Sequence, residues 1–276
     1  MAKKTMDEMS FLDHLEVLRW HLIRATIGVF IAAILAFIFK KFIFDVIIFG
    51  PTHMNFPTYE GLCKVSQLLG MTDATFCADK FPFIIQNRTV AGQFSAHIWT
   101  SIYAGFIVSF PYVLYQLWSF ISPGLKSNER KSSRGFIIIA SLLFFIGVLF
   151  GYYIITPLSI NFLANYQISE QISNEFDISS VIAIVRSSAI ASGFVFELPI
   201  IIYFLTKVGL VTPKILKKYR KFALVIVLIL SAVITPPDIA SQVIVAIPIL
   251  ILYQVSIYIS KVVLRKQNKK NSKVKS

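Results

Sequence analysis

The sequence predicts an all-α integral membrane protein: six transmembrane helices in a concave bundle, with the N- and C-termini both cytoplasmic. Three observations carry this. The 276 residues are 56% hydrophobic and only 15% charged, with a mean hydropathy of +0.71, which soluble domains of this length rarely reach. The apolar residues gather into runs that approach or exceed the roughly 20 residues needed to cross a bilayer core. The net charge of +13 is concentrated, because Lys and Arg cluster at the ends of the apolar runs. That is the pattern of cytoplasmic loops and argues against a nucleic-acid partner.

Residues 1–20 read as a cytoplasmic amphipathic segment. Ser10 can cap a helix with Asp13 three residues on. Phe11, Leu15, Leu18 and Leu22 then form an i, i+4, i+7, i+11 apolar stripe. Such a helix lies at the inner interface and leads into the first span. No cleavable signal peptide is visible in this charged start. The six-span domain covers 21–260, with spans at about 21–39, 94–121, 135–156, 179–205, 222–234 and 242–259. The fifth is short: 13 residues cover about 20 Å against a core of about 30 Å. The last two are joined by the tight turn TPPD, in which Pro236 and Pro237 cannot continue a helix. The basic tail, 261–276, is expected to be disordered.

Charge sets the orientation. Four Lys/Arg precede residue 25, four lie in 122–134, six in 206–221 and seven from Lys261 onward. The opposite face holds five: Lys40, Lys41, Lys64, Lys80 and Arg88. The positive-inside rule therefore places both termini in the cytoplasm. It also leaves the long loop of about 42–93 outside, with both cysteines, Cys63 and Cys77. A disulfide is allowed there, and closing a 15-residue loop gains roughly 3 kcal/mol. The alternative is two free thiols in a mobile loop.

The chain lacks a G-x-x-x-x-G-K loop, H-E-x-x-H and G-x-S-x-G, and its four histidines are scattered. No enzyme, cofactor or metal is expected. The acids are more informative. The cytoplasmic face has only Asp7, Glu8, Asp13, Glu16 and Glu129, so it suits anionic lipid. It suits a cationic ligand only where those carboxylates are arranged to meet one. Glu129 stands beside Arg130 and Lys131, which alone reads as a surface pair of little energetic weight. Glu197 interrupts the apolar stretch SGFVFELPII, at a cost of roughly 2.5–3.5 kcal/mol for a mid-membrane charge. Arg186 lies eleven residues earlier, on the same helical face and about 16 Å away. That polar stripe suggests a partly hydrated concave face. The plainer reading of Glu197 is a hydrogen bond to a neighbouring span.

Five motifs, in order, resemble the TatC family of twin-arginine translocase receptors: FLDHLEVLRWHL, PYVLYQLWSFISPGLKSNER, GYYIITPLSINFL, FVFELP, and ITPPDIASQ followed by AIP. The resemblance covers most of residues 10–260 and omits the first outer loop and the tail. It implies a receptor in the bacterial cytoplasmic membrane that binds signal peptides bearing an arginine pair. Folded cargo would be exported with single-span TatA- and TatB-type partners on the proton-motive force, in a self-associated complex. It implies Glu129 as the loop acid meeting the arginine pair, with Glu16 second and Asp13 assisting electrostatically. It matches Glu197 to an intramembrane glutamate and Asp238 to the acid of the outer Pro236–Pro237 turn. The sequence departs from the pattern at Val17, where the family has a glutamate, and at Gln254, where relatives often carry an acid. The competing reading is a proton-coupled small-solute transporter using Glu197.

Overall fold

The structure is a computed structural model, and it describes residues 11–68, 77, 80–121, 133–169, 171–235 and 238–275. The chain divides into two compact units, Met1–Ile47 with Asn87–Leu142, and Ile48–Gln86 with Leu143–Ser276.

The first unit is built on α1 (Phe11–Ile38) and α3 (Gly92–Ile121). They run antiparallel, since His21 of α1 meets Gln116 of α3 while Phe37 of α1 meets His97. Small residues allow the close crossing. A Cβ at Gly105 would lie 2.5 Å from the Ala33 amide nitrogen, so only glycine fits there. At the far end the His97 ring stacks on Phe37 with centroids 3.8 Å apart, and its Nε2 lies 3.1 Å from the Phe37 carbonyl. The first half of α4 (Ser133–Phe150) joins this unit by stacking Phe136 on Trp118 at 4.2 Å. The amphipathic start and the first span form one helix: α1 is continuous from Phe11 to Ile38. Residues 11–24 contain neither Gly nor Pro, so nothing ends the helix.

A π-helical turn at Phe42–Ile48 follows α1 at the end of the first unit's opening segment. In the second unit, the described residues before α3 include α2 (Pro57–Leu68) and β1 (Phe83–Gln86). Tyr59 of α2 is fully buried, with its hydroxyl 2.9 Å from the carbonyls of both Pro51 and Pro157. Burial pushes its phenol well up, so it stays a donor. Its ring meets Phe56 and Phe81, and Phe56 in turn meets Tyr152 and Tyr153. A Cys63–Cys77 disulfide, Cα–Cα 5.2 Å, ties α2 to the chain that follows. β1 pairs in parallel with β2 (Asn174–Asp177), Phe83 opposite Asn174 through Gln86 opposite Asp177.

The third span is longer than the sequence suggested. α4 passes through a π-helical stretch at Gly151–Ile155 into α5 (Thr156–Asn165), and the apolar helix reaches Asn165. Pro157 is tolerated because it sits in the first turn of α5, where its missing N–H has no helical partner to lose. Gly147 and Gly151 form a G-x-x-x-G face against α6 (Ile178–Phe196). Ser192 of α6 donates to the Gly147 carbonyl at 2.6 Å. A Cβ on Gly151 would press into the Ser188 carbonyl and the Ser192 hydroxyl. Gly151→Ala is therefore expected to part the helices and to cost about 1–3 kcal/mol; the midpoint of thermal unfolding in detergent measures it.

The fourth span was expected to be one helix. It is two, α6 and α7 (Leu198–Val208), broken at Glu197. Pro199 explains the break: it cannot donate to the carbonyl of Val195, four residues back. Gly209 closes α7 in the left-handed conformation, φ 88°. α8 (Pro213–Lys218), α9 (Arg220–Ile234) and α10 (Ile239–Lys275) complete the chain. Ile155, Val227, Val245, Ala246 and Ile249 form the buried core of this unit. Polar bonds tie α10 to its neighbours: Thr206 to Ser260, Gln242 to the Leu228 carbonyl, and Tyr253 to the Leu216 carbonyl, at 2.8, 3.0 and 2.8 Å.

Among the described residues five helices are each at least 18 residues long and apolar enough to cross a membrane. α9 has only 15 residues, about 22 Å of helix. α10 continues into the basic tail as far as Lys275. Its Lys, Arg and Gln residues are good helix formers, and Gln267 anchors it by donating to the Lys207 carbonyl at 2.8 Å.

Candidate functional site

The intramembrane acid is the best-defined element. Glu197 closes α6 and opens α7, with φ −75° and ψ −9°. Its backbone is satisfied: its N–H donates to the Phe194 carbonyl, and its own carbonyl accepts from Ile200 and Ile201. Its side chain is not. The residue is 7% exposed, and Oε1 has no hydrogen-bond partner within the described chain. Val195 and Leu198, on either side, pack against the apolar core, and Phe196 meets Phe150 at 5.4 Å. A buried acceptor left unpaired is costly.

Arg186 lies on the same helix, half-buried. α6 is unbroken from Ile178 to Phe196, so the eleven-residue spacing to Glu197 keeps both on one face, about 16 Å apart. Asp177 caps the start of α6: its carboxylate accepts from the Ser179 amide at 2.8 Å.

The candidate signal-peptide acids are only partly visible. Glu16 lies near the start of α1 and is exposed. Asp13 belongs to the first turn of α1, but its side chain lies outside the described residues, as does all of Glu129. Pro236 and Pro237 also lie outside them. Asp238 is described, and it caps α10: its Oδ2 accepts from the Ser241 amide at 2.8 Å. Asp238→Ala is expected to cost about 1 kcal/mol and to speed amide exchange at Ser241 and Gln242, whereas Asp238→Asn keeps the cap. Cys63 of α2 and Cys77 are joined to each other.

One pair was not singled out from the sequence. His21 Nδ1 lies 2.8 Å from Gln116 Oε1, joining residues 95 apart. Gln116 is 5% exposed. The available signal was an uncharged polar residue inside an apolar run. Among the described residues, no three of His, Cys, Asp and Glu gather in a way that could hold a metal ion.

Comparison with known proteins points one way. The family model for the Sec-independent protein translocase protein (TatC) matches residues 13–248. The TatC protein of Blattabacterium sp. subsp. Periplaneta americana (strain BPLAN) is 44% identical over 265 residues, covering 96% of this chain and 100% of its own. That of Aquifex aeolicus (strain VF5) is 33% identical over 260 residues, covering 94% and 98%. A crystal structure of the twin-arginine translocase receptor TatC superimposes with a TM-score of 0.67 at 30% identity, covering 91% of this chain and 99% of that one. A second, in DDM, gives 0.69 at 32% identity, covering 90% and 99%.

Proposed function

The chain belongs to the TatC family of Sec-independent protein translocase proteins, and from that membership we propose how its own residues serve a twin-arginine translocase. It is a multi-pass protein of the bacterial cytoplasmic membrane and a receptor component of that translocase. The observation that carries the reading is agreement along the chain: one family model spans 13–248, and the receptor fold covers 91% of the residues.

The ligand is a signal peptide with two adjacent arginines. A guanidinium offers a planar fork of donors that a carboxylate takes in two parallel bonds. Two such forks call for two acids on separate elements of one face. Glu129 takes the first role, in a segment whose other charges are Lys126, Arg130, Lys131 and Arg134. Glu16 takes the second, and Asp13, three residues earlier, adds negative potential. Val17 removes the acid found at that position in relatives, so this chain relies on Glu16, about 100° further round the helix.

The charge asymmetry orients the protein with both termini and the two acid-bearing segments in the cytoplasm. TatA- and TatB-type single-span proteins are the partners, and further copies of this chain complete the assembly. Glu197 offers such a span a polar contact inside the membrane. Export of folded cargo draws on the proton-motive force.

The test is reconstitution. Inverted vesicles holding this chain with single-span partners should import a folded cargo that carries an arginine-pair signal. A protonophore should stop import, and removal of ATP should not. Import that persists without a proton gradient would refute the reading.

A further inference from the structure

We propose that the cytoplasmic end of the second unit, residues 207–222 with the adjoining turns of α10, is a docking shelf for anionic phospholipid, independently of how signal peptides bind. The charge there is one-sided. Lys207, Lys214, Lys217, Lys218, Arg220 and Lys221 lie close together in the chain, and Lys261, Arg265 and Lys266 follow on α10. Residues 198–234 and 239–275 contain no Asp or Glu, so no carboxylate of these helices competes for the cations.

The fold gathers them. Thr206 donates to the Ser260 hydroxyl, Gln267 to the Lys207 carbonyl and Tyr253 to the Leu216 carbonyl, each at 2.8 Å. These bonds hold the end of α7, the short α8 and the cytoplasmic turns of α10 as one surface. Lys214, Lys217, Lys218, Arg220 and Lys221 are exposed on it.

The occupant follows from what lies between the charges. Leu210, Ile215, Tyr219 and Phe222 are exposed as well, so apolar and basic side chains are interleaved between α7 and α9. An acidic protein in water would meet the cations and leave the apolar groups uncovered. A phospholipid meets both, with acyl chains on Leu210, Ile215 and Phe222 and its phosphate on the cations. Lysine stems lie along apolar surface with their ammonium groups at the headgroups, and tyrosine favours the same level. Lys218 Nζ lies 5.9 Å from the centre of the Tyr219 ring, and Lys207 Nζ 5.9 Å from that of Tyr203, within reach of a cation–π attraction. A zwitterionic headgroup brings its own cation, so the excess of basic groups selects a net negative one.

The experiment reconstitutes the full-length protein into phosphatidylcholine vesicles with a trace of photoactivatable lipid. The probe is phosphatidylglycerol or phosphatidylcholine, with the same reactive group beside the headgroup, and adducts are mapped by mass spectrometry. We expect phosphatidylglycerol to label residues 207–222 about tenfold more than phosphatidylcholine, because each Lys or Arg near the surface adds attraction for anionic lipid. Combining Lys214→Gln, Lys217→Gln, Lys218→Gln and Lys221→Gln should bring the ratio close to one, and the four arginine replacements should keep it. Neutralising Lys40, Lys41, Lys64 and Arg88 changes the net charge equally and should leave the ratio alone. Should the glutamine combination fail to fold, Lys217→Gln and Lys218→Gln are read singly, each lowering the ratio about twofold. Equal labelling of the wild type by both probes would overturn the proposal. So would a ratio that survives the glutamine changes, or one that falls as far in the outer-face control. Absence of labelling on the shelf by either probe would assign the patch to an acidic protein instead of lipid.

Discussion

Glu129→Ala is expected to weaken binding of an arginine-pair signal peptide by about thirty-fold or more while leaving the protein inserted and folded. Removing one partner from a desolvated, hydrogen-bonded charge pair costs about 2–5 kcal/mol, and thirty-fold is the lower edge of that range. The local charge makes the site fragile. Lys126, Arg130, Lys131 and Arg134 surround a single acid, so without Glu129 the segment only repels a cationic ligand. Glu129→Gln should fall almost as far, because an amide keeps the shape and loses the charge. Glu16→Ala should weaken binding less, since Asp13 remains on the same element. Equilibrium titration of a labelled peptide settles the order. Unchanged affinity in Glu129→Ala would remove this residue from the site.

The second large effect concerns Glu197, and its sign separates two accounts. If the glutamate served only the fold, its removal would destabilise the protein. Yet Oε1 is buried without a partner, and the adjacent apolar residues pack without it. Deleting an unpaired buried polar group releases its desolvation cost, on the order of 1 kcal/mol or more. Glu197→Ala should therefore unfold at the same temperature as wild type or higher. Signal-peptide binding should stay near normal. Export should fall at least tenfold, and so should crosslinking of a single-span partner to α6. A destabilised variant that still exports would make the glutamate structural.

Much of the fold could be read from composition because bilayer thickness imposes it. Apolar length located the four spans that begin near 21, 94, 135 and 179, and the proline turn separated the last two helices. The missed features have local causes. Pro199 was visible, but an apolar run carries no mark of where a proline will break it, so the division into α6 and α7 went unread. The continuation of α4 through Pro157 into α5 depends on a π-helical turn that has no periodic signature. β1 and β2 are four residues each, too short for alternation to register. The helical tail depends on Gln267 reaching a carbonyl 60 residues away.

At the candidate site the division is similar. Glu197 stood out as a charge where none belongs. Its lack of a partner is a fact of packing, and no sequence pattern encodes it. Asp238 was matched to a family motif, and its geometry adds a helix cap. The His21–Gln116 bond joins residues 95 apart, beyond the reach of any local rule.

The most direct test of the central claim is site-specific photocrosslinking. A probe is placed beside the arginine pair of a signal peptide and mixed with membranes containing this protein. The account predicts adducts within residues 122–134 and around Glu16, and their loss when lysines replace the arginines. Adducts elsewhere on the chain, or equal labelling by the lysine peptide, would contradict it.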